Sequence, residues 1–179
     1  MMNGLSSYFV HDHRRLEVLL KSAFPATGKI HDEAYSEFRS GLLRHIALEE
    51  KILMPAIMKS QKGLPHLFAA RLRLDHGAFA ALLVPPPREE IRRVFLGIMH
   101  GHNELEESTD GLYAVCENLP QEQVQEMLSR IKEYPNVPVM PYSDKPNVSD
   151  AVRRAVSRAG YDFDQLAHFP HSENNKQKE

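Results

Sequence analysis

Tryptophan is absent, and a single cysteine, Cys116, stands among 179 residues. One thiol excludes an internal disulfide and fits a reducing compartment, so the expected location is cytoplasmic. No apolar run approaches the ~20 residues that a membrane span needs. The opening stretch MMNGLSSYFVHDHRR also lacks the basic-then-apolar order of a secretory signal. A surplus of one charge is missing too. The formal net charge of −2 gives no electrostatic footprint for nucleic acid or an acidic membrane surface. What is present is ordinary apolar content, 42%, enough for one cored domain with or without an appendage. The unusual abundance is ten histidines.

Apolar residues recur at helical spacing in four segments. Residues 6–24 carry Phe9, His13, Leu16 and Leu20, with Pro25 and Gly28 ending the helix. Residues 31–59 carry Phe38, Leu42, His45, Glu49, Ile52 and Ala56, with Pro55 expected to kink the helix near its end. Residues 66–83 carry Leu72, His76, Phe79 and Leu83, and residues 88–118 carry Ile91, Phe95, Ile98, His102, Glu106, Thr109 and Tyr113. Pro85-Pro86-Pro87 separates the last two. No segment alternates as a strand. The expected fold is all-α, an antiparallel up-down four-helix bundle over residues 1–119. A C-terminal extension, 120–179, follows: a polar helix near 121–134, the proline-rich linker PNVPVMPYSDKP, a short helix SDAVRRAVSRAG stopped by Gly160, and a polar tail HSENNKQKE expected to be disordered.

The histidines carry the functional signal. His13, His45, His76 and His102 each occupy a slot in an apolar stripe, one per helix, and Glu49 and Glu106 follow stripe histidines by four residues. Positions four apart share a helix face, so four imidazoles and two carboxylates converge on the core. The pattern is duplicated: Asp12-His13 precedes His45-x-x-x-Glu49-Glu50, and Asp75-His76 precedes His102-x-x-x-Glu106-Glu107. At about 1.5 Å per residue the ligands fall at similar depth, except that His76 and His102 are expected to be offset unless the prolines between them absorb it. His11 and His100 lie on the opposite face, His31 far below His45, His66 near a helix start, and His168 and His171 in the tail. Asp12 and Asp75 read as solvated edge positions. Glu50 and Glu107 read as surface charges or supporting residues.

One His-x-x-x-Glu is ordinarily a surface pair worth a few tenths of a kcal/mol. Four imidazoles and two carboxylates buried without a cation would cost several kcal/mol per unpaired charge. Six nitrogen and oxygen donors with no thiolate exceed one tetrahedral zinc and suit two ions, iron or manganese, with Glu49 and Glu106 as bridges.

The order His13, His45-x-x-x-Glu49, His76, His102-x-x-x-Glu106, with Glu49-Glu50-Lys51-Ile52-Leu53-Met54-Pro55 as an EExxLxP motif, resembles the hemerythrin-like (HHE cation-binding) family over roughly residues 5–118. The resemblance implies a cofactor of two non-haem iron ions, carboxylate- and oxo-bridged, with manganese or zinc as lesser alternatives. It also implies a small-molecule ligand such as O2, nitric oxide or peroxide. Oxygen-carrying members have a further histidine on the third helix where this chain has Ala80, and their fourth-helix carboxylate follows at five residues rather than four. One ligand is therefore missing unless His31, Tyr113, water or an unplaced group supplies it. That favours sensing, storage or iron and oxidative-stress handling over simple O2 carriage; whether the protein is an enzyme stays open. The alternative is an iron-responsive regulatory or adaptor module whose residues 120–179 dock a partner or a second copy.

Overall fold

A computed structural model describes residues 4–168; the polar tail at 171–179 and His171 lie outside them. The described residues are all-helical and contain no strand. Helices α1 (Gly4–Ala23) and α2 (Asp32–Leu48) pack along each other. A π-helical turn (Glu49–Leu53) joins α2 to α3 (Met54–Ser60). Then come α4 (Ala69–Leu82), α5 (Glu89–Glu107), α6 (Leu112–Cys116), α7 (Gln121–Glu133), α8 (Pro146–Arg158) and α9 (Phe163–His168).

Two features depart from the expected helices. The bend assigned to Pro55 is a wide turn, in which Met54 N–H donates to the Glu49 carbonyl, five residues back. Proline has no N–H for residue 51 and its ring crowds that carbonyl, so a wider turn just before it relieves both. The helix expected over 88–118 stops at Glu107. Ser108 is extended, and the chain turns through residues 108–111 before α6. Thr109, expected on the apolar stripe, is exposed in that turn. The sequence Ser-Thr-Asp-Gly is turn chemistry that outweighed the helical spacing.

The core falls into two apolar clusters. One contains Leu16, Leu20, Phe38, Leu42, Phe79, Leu82, Phe95 and Ile98. The other contains Leu5, Phe9, Leu48, Ile52, Leu72, Tyr113, Val124 and Met127. Each of the four stripe histidines sits between them in sequence: His13 between Phe9 and Leu16, His45 between Leu42 and Leu48, His76 between Leu72 and Phe79, His102 between Ile98 and Tyr113. A polar layer thus crosses an otherwise apolar interior.

The C-terminal segment is built into this core. Val152, Val156, Ala159 and Ala167 join the first cluster, with α8 against α4 and α9 against α5. α8 starts three residues before Ser149, at Pro146, where a proline suits the first turn. Gly160 ends it with φ of 81°, a left-handed conformation that favours glycine. The stretch 134–145 has no regular structure but is pinned to α2. The buried Arg39 guanidinium donates to the Leu83 carbonyl (2.8 Å) and the Met140 carbonyl (2.9 Å) and lies 4.2 Å from the Tyr142 ring centre. Arg44 donates to the Ile131 carbonyl at 2.6 Å. No helix of the described residues is long and apolar enough to cross a membrane.

Candidate metal centre

The six sequence-predicted ligands meet in the polar layer. His13, His45, Glu49 and Glu106 bring one ligand atom each within 4.8 Å of one another, and so do Glu49, His76, His102 and Glu106. Glu49 and Glu106 belong to both groups, and both are fully buried. All four histidines are buried. The offset expected between His76 and His102 is absent: their ring centres lie 5.1 Å apart. His11, His31 and His100 are exposed and take no part. Ala80 is exposed too, so a histidine there would point away from this layer.

The inner contacts repeat in the two halves. His45 Nε2 lies 3.4 Å from Glu49 Oε1, four residues on, and His102 Nε2 lies 3.4 Å from Glu106 Oε2. His76 Nε2 lies 3.2 Å from Glu49 Oε2, and His13 Nε2 lies 3.2 Å from Glu106 Oε2. His13 and His45 face each other with Nε2 atoms 3.1 Å apart. Glu106 Oε1 has no hydrogen-bond partner although it is buried, and Glu49 Oε2 and His76 Nε2, also buried, make a 3.2 Å charge contact without hydrogen-bond geometry. Buried polar atoms without partners are rare and costly. Six inward-facing donors with such orphans fit divalent or trivalent cations well.

Four carboxylates stand behind the imidazoles. Asp12 and Asp75, expected at a solvated edge, are buried. Asp12 Oδ2 lies 3.0 Å from His45 Nδ1, and Asp75 Oδ2 lies 3.5 Å from His102 Nδ1. Glu107 Oε1 lies 2.7 Å from His13 Nδ1, and Glu50 Oε1 lies 2.9 Å from His76 Nδ1. Each Glu-Glu pair therefore clasps one imidazole from both edges, the first glutamate at Nε2 and the second at Nδ1. A carboxylate hydrogen-bonded at Nδ1 leaves Nε2 free to ligate and fixes the ring's orientation, as at His13, His45 and His76, whereas His102 Nδ1 and both Asp75 oxygens form no hydrogen bond.

An arginine backs each carboxylate. Arg15 Nε reaches Asp12 (2.7 Å), Arg14 Nη2 reaches Glu107 (2.6 Å), Arg73 Nε reaches Glu50 (3.0 Å), and Arg71 Nε reaches Asp75 (3.3 Å). These arginines carried no spacing signal. The aspartates and outer glutamates did, since Asp-His and Glu-Glu recur in both halves.

The metal-free electrostatics follow from these pairs. Burial would raise Asp12, but His45 and Arg15 outweigh it and hold the carboxyl at about 2. Burial would lower His76, but Glu49, Glu50 and Glu106 push it up to about 9. Burial likewise opposes the charging of His45, which Glu49 and Asp12 raise well above its usual value. His13 is raised by Glu106 and Glu107 against burial and His45. Burial would raise Glu49, yet His45 and His76 keep it well below the usual carboxylate range. Without a metal, protons on His13, His45 and His76 offset the carboxylate charge.

Tyr113 also reaches the layer. Its phenolic oxygen lies 2.6 Å from Glu49 Oε1, 3.0 Å from Glu106 Oε2 and 3.1 Å from His13 Nε2. Burial, with Glu106 and Glu49 beside it, pushes the phenol well above its usual value. Phe9 stacks on Tyr113 with centres 5.4 Å apart and meets the His45 ring edge-on, while Phe79 meets His102 edge-on. Cys116 is buried and pushed up to about 12, chiefly by burial, which makes it an inert thiol. Compared with protein-family models, with curated proteins and with solved structures, the chain matches none.

Proposed function

We propose that this chain is a non-haem di-iron protein of the hemerythrin-like kind, an antiparallel four-helix bundle of α1, α2, α4 and α5 holding two cations. The observation that carries the reading is the sharing of Glu49 and Glu106 by two histidine-containing groups. Two carboxylates common to two sets of imidazoles are what a dinuclear centre requires and what two separate mononuclear sites would not need. The bundle assignment is supported by the chain's passage between clusters. α1 and α4 run from the Phe9/Leu72 cluster toward the Leu16/Phe79 cluster, while α2 and α5 run the other way.

His13 and His45 would hold one cation and His76 and His102 the other, with Glu49 and Glu106 between them. Imidazole and carboxylate without thiolate favours iron or manganese over a structural zinc. When bound, iron supplies redox chemistry toward O2, nitric oxide or peroxide. The chain's own part is to set the donors. Asp12, Glu50 and Glu107 hold the tautomers of His45, His76 and His13, arginines hold those carboxylates, and Phe9 and Phe79 pack on the imidazole edges.

Anaerobic reconstitution with ferrous iron, followed by elemental analysis, is expected to give about two irons per chain, in keeping with the two donor groups. Exposure to O2 and to nitric oxide in turn, followed optically, then separates reversible binding from irreversible oxidation. Tag-free protein that folds equally well and takes up no iron would refute the reading.

The adaptor alternative has one observation in its favour. The C-terminal segment touches the support of the second group: Arg71, which pairs with Asp75 behind His102, lies 4.6 Å from the ring centre of Tyr161. A change at the cation pair could be felt there by a partner. If the segment only buttresses the core, occupancy of the centre will leave the protease sensitivity of 159–162 unchanged.

A further inference from the structure

We infer that Tyr113 is a fifth protein donor to the cation held by His13, His45, Glu49 and Glu106, and that the centre therefore offers two unlike positions. The inference rests on the two-cation reading above. The phenol has one proton and three neighbours within 3.1 Å, namely Glu49 Oε1, Glu106 Oε2 and His13 Nε2. It can donate to one of them only. A hydrogen-bonding side chain would not need to sit where three ligand atoms of one group converge; a ligand would.

The local fold presets this placement. Ser108–Gly111 ends α5 and redirects the chain, so that Tyr113 arrives from α6. Gly111 makes the turn possible because a Cβ there would stand 2.6 Å from the Glu106 carbonyl oxygen. Ser6 Oγ donates to the Tyr113 carbonyl at 3.1 Å, tying α6 to α1, and Phe9 covers the ring. Both flanks of the phenol are thus fixed without any cation.

The second group has no counterpart. Tyr113 follows Glu106 by seven residues, and the residue seven after Glu49 is Ala56. His76 Nε2, which corresponds to His13 Nε2 in the repeated pattern, has no hydrogen-bond partner where His13 Nε2 has the phenol. The duplication of the ligand pattern is therefore broken at one position. A phenolate is a hard, anionic oxygen donor, so the first position favours the more highly charged cation. On coordination the phenolic proton leaves to solvent and the oxygen lone pair enters the cation's shell. No electron is transferred in that step.

The test uses the full chain loaded anaerobically with ferrous iron and oxidised with ferricyanide. The wild type is expected to show phenolate-to-iron(III) charge-transfer absorption in the visible. Its resonance Raman spectrum should contain tyrosinate ring modes that shift when the protein is grown on ring-deuterated tyrosine. Tyr113→Phe keeps the stacking on Phe9 and is expected to lose the band and the modes, whereas Tyr8→Phe keeps both. Two irons per chain with no tyrosinate signal in the wild type would overturn the inference and leave the di-iron reading standing. A signal that survives in Tyr113→Phe would also overturn it. Failure of the wild type to hold iron would overturn both. The isotope experiment needs no variant, so a poorly folding Tyr113→Phe does not shelter the inference.

Discussion

Raising the pH of the metal-free protein from 6.5 to 9 should destabilise it. His76 is the clearest gauge. Its Nε2 faces Glu49 at 3.2 Å, its Nδ1 faces Glu50 at 2.9 Å, and Arg73 stands behind Glu50. The folded protein holds its proton up to about 9, against 6.5 when unfolded. A raised folded value means that the charged imidazole stabilises the fold fully below pH 6.5, and that this contribution drains away as the pH climbs through about 9. At 1.36 kcal/mol per unit the difference corresponds to about 3 kcal/mol, a large part of a domain's stability. His13 and His45 are raised too and act in the same direction. Urea unfolding in excess chelator, at half-unit steps across this range, should show the midpoint falling steadily at constant slope. With a cation bound the trend should reverse, because the metal takes the place of the imidazole protons and binds better as they leave. Stability that stays flat or rises between pH 6.5 and 9 in chelated protein would refute the charge balance between these imidazoles and the carboxylates.

Other expectations follow from single contacts. Asp12→Asn leaves His45 without its carboxylate and should weaken cation binding by roughly 10- to 100-fold in a chelator competition; Asp75→Asn, which breaks no hydrogen bond to His102, should weaken it less. On the acid side, the contribution of Asp12 is present above its unfolded value of 3.8 and should be lost as pH falls through about 2, seen as acid unfolding that the Asn variant no longer shares. Gly111→Ala drives a methyl against the Glu106 carbonyl and should cost about 1–3 kcal/mol in urea unfolding. Phe95→Ala opens a cavity beside Phe38 and Phe79 and should cost about 3–5 kcal/mol, with the iron stoichiometry intact.

Much of the candidate centre is legible in the sequence, for a geometric reason. A stripe at three-and-four spacing fixes which residues face inward, and His13, His45, Glu49, His76, His102 and Glu106 all lie on one. The supporting residues are harder to place, because a position about 100° from the stripe reads as facing solvent. In a packed set of helices that flank faces a neighbour instead. Asp12, one residue before His13, looks across to His45 on α2, and Asp75 looks across to His102 on α5. Tyr113 was on the stripe by count but reached the layer by a different route, through a turn that interrupts α5. The place of α8 was not legible at all. Val152, Val156 and Ala159 have helical spacing, but nothing in it says which helix they cover. Deletion of residues 135–179 would therefore strip part of the core together with the extension, and is a poor way to separate binding from readout.

The sharing of Glu49 and Glu106 also bears on how the protein breathes. Each glutamate is fully buried and stands against imidazoles from both halves of the duplicated pattern. Detaching either half alone would strand a buried carboxylate in the half left behind. Partial opening is thereby discouraged, and α1, α2, α4 and α5 should exchange their central amide hydrogens with solvent as one cooperative unit.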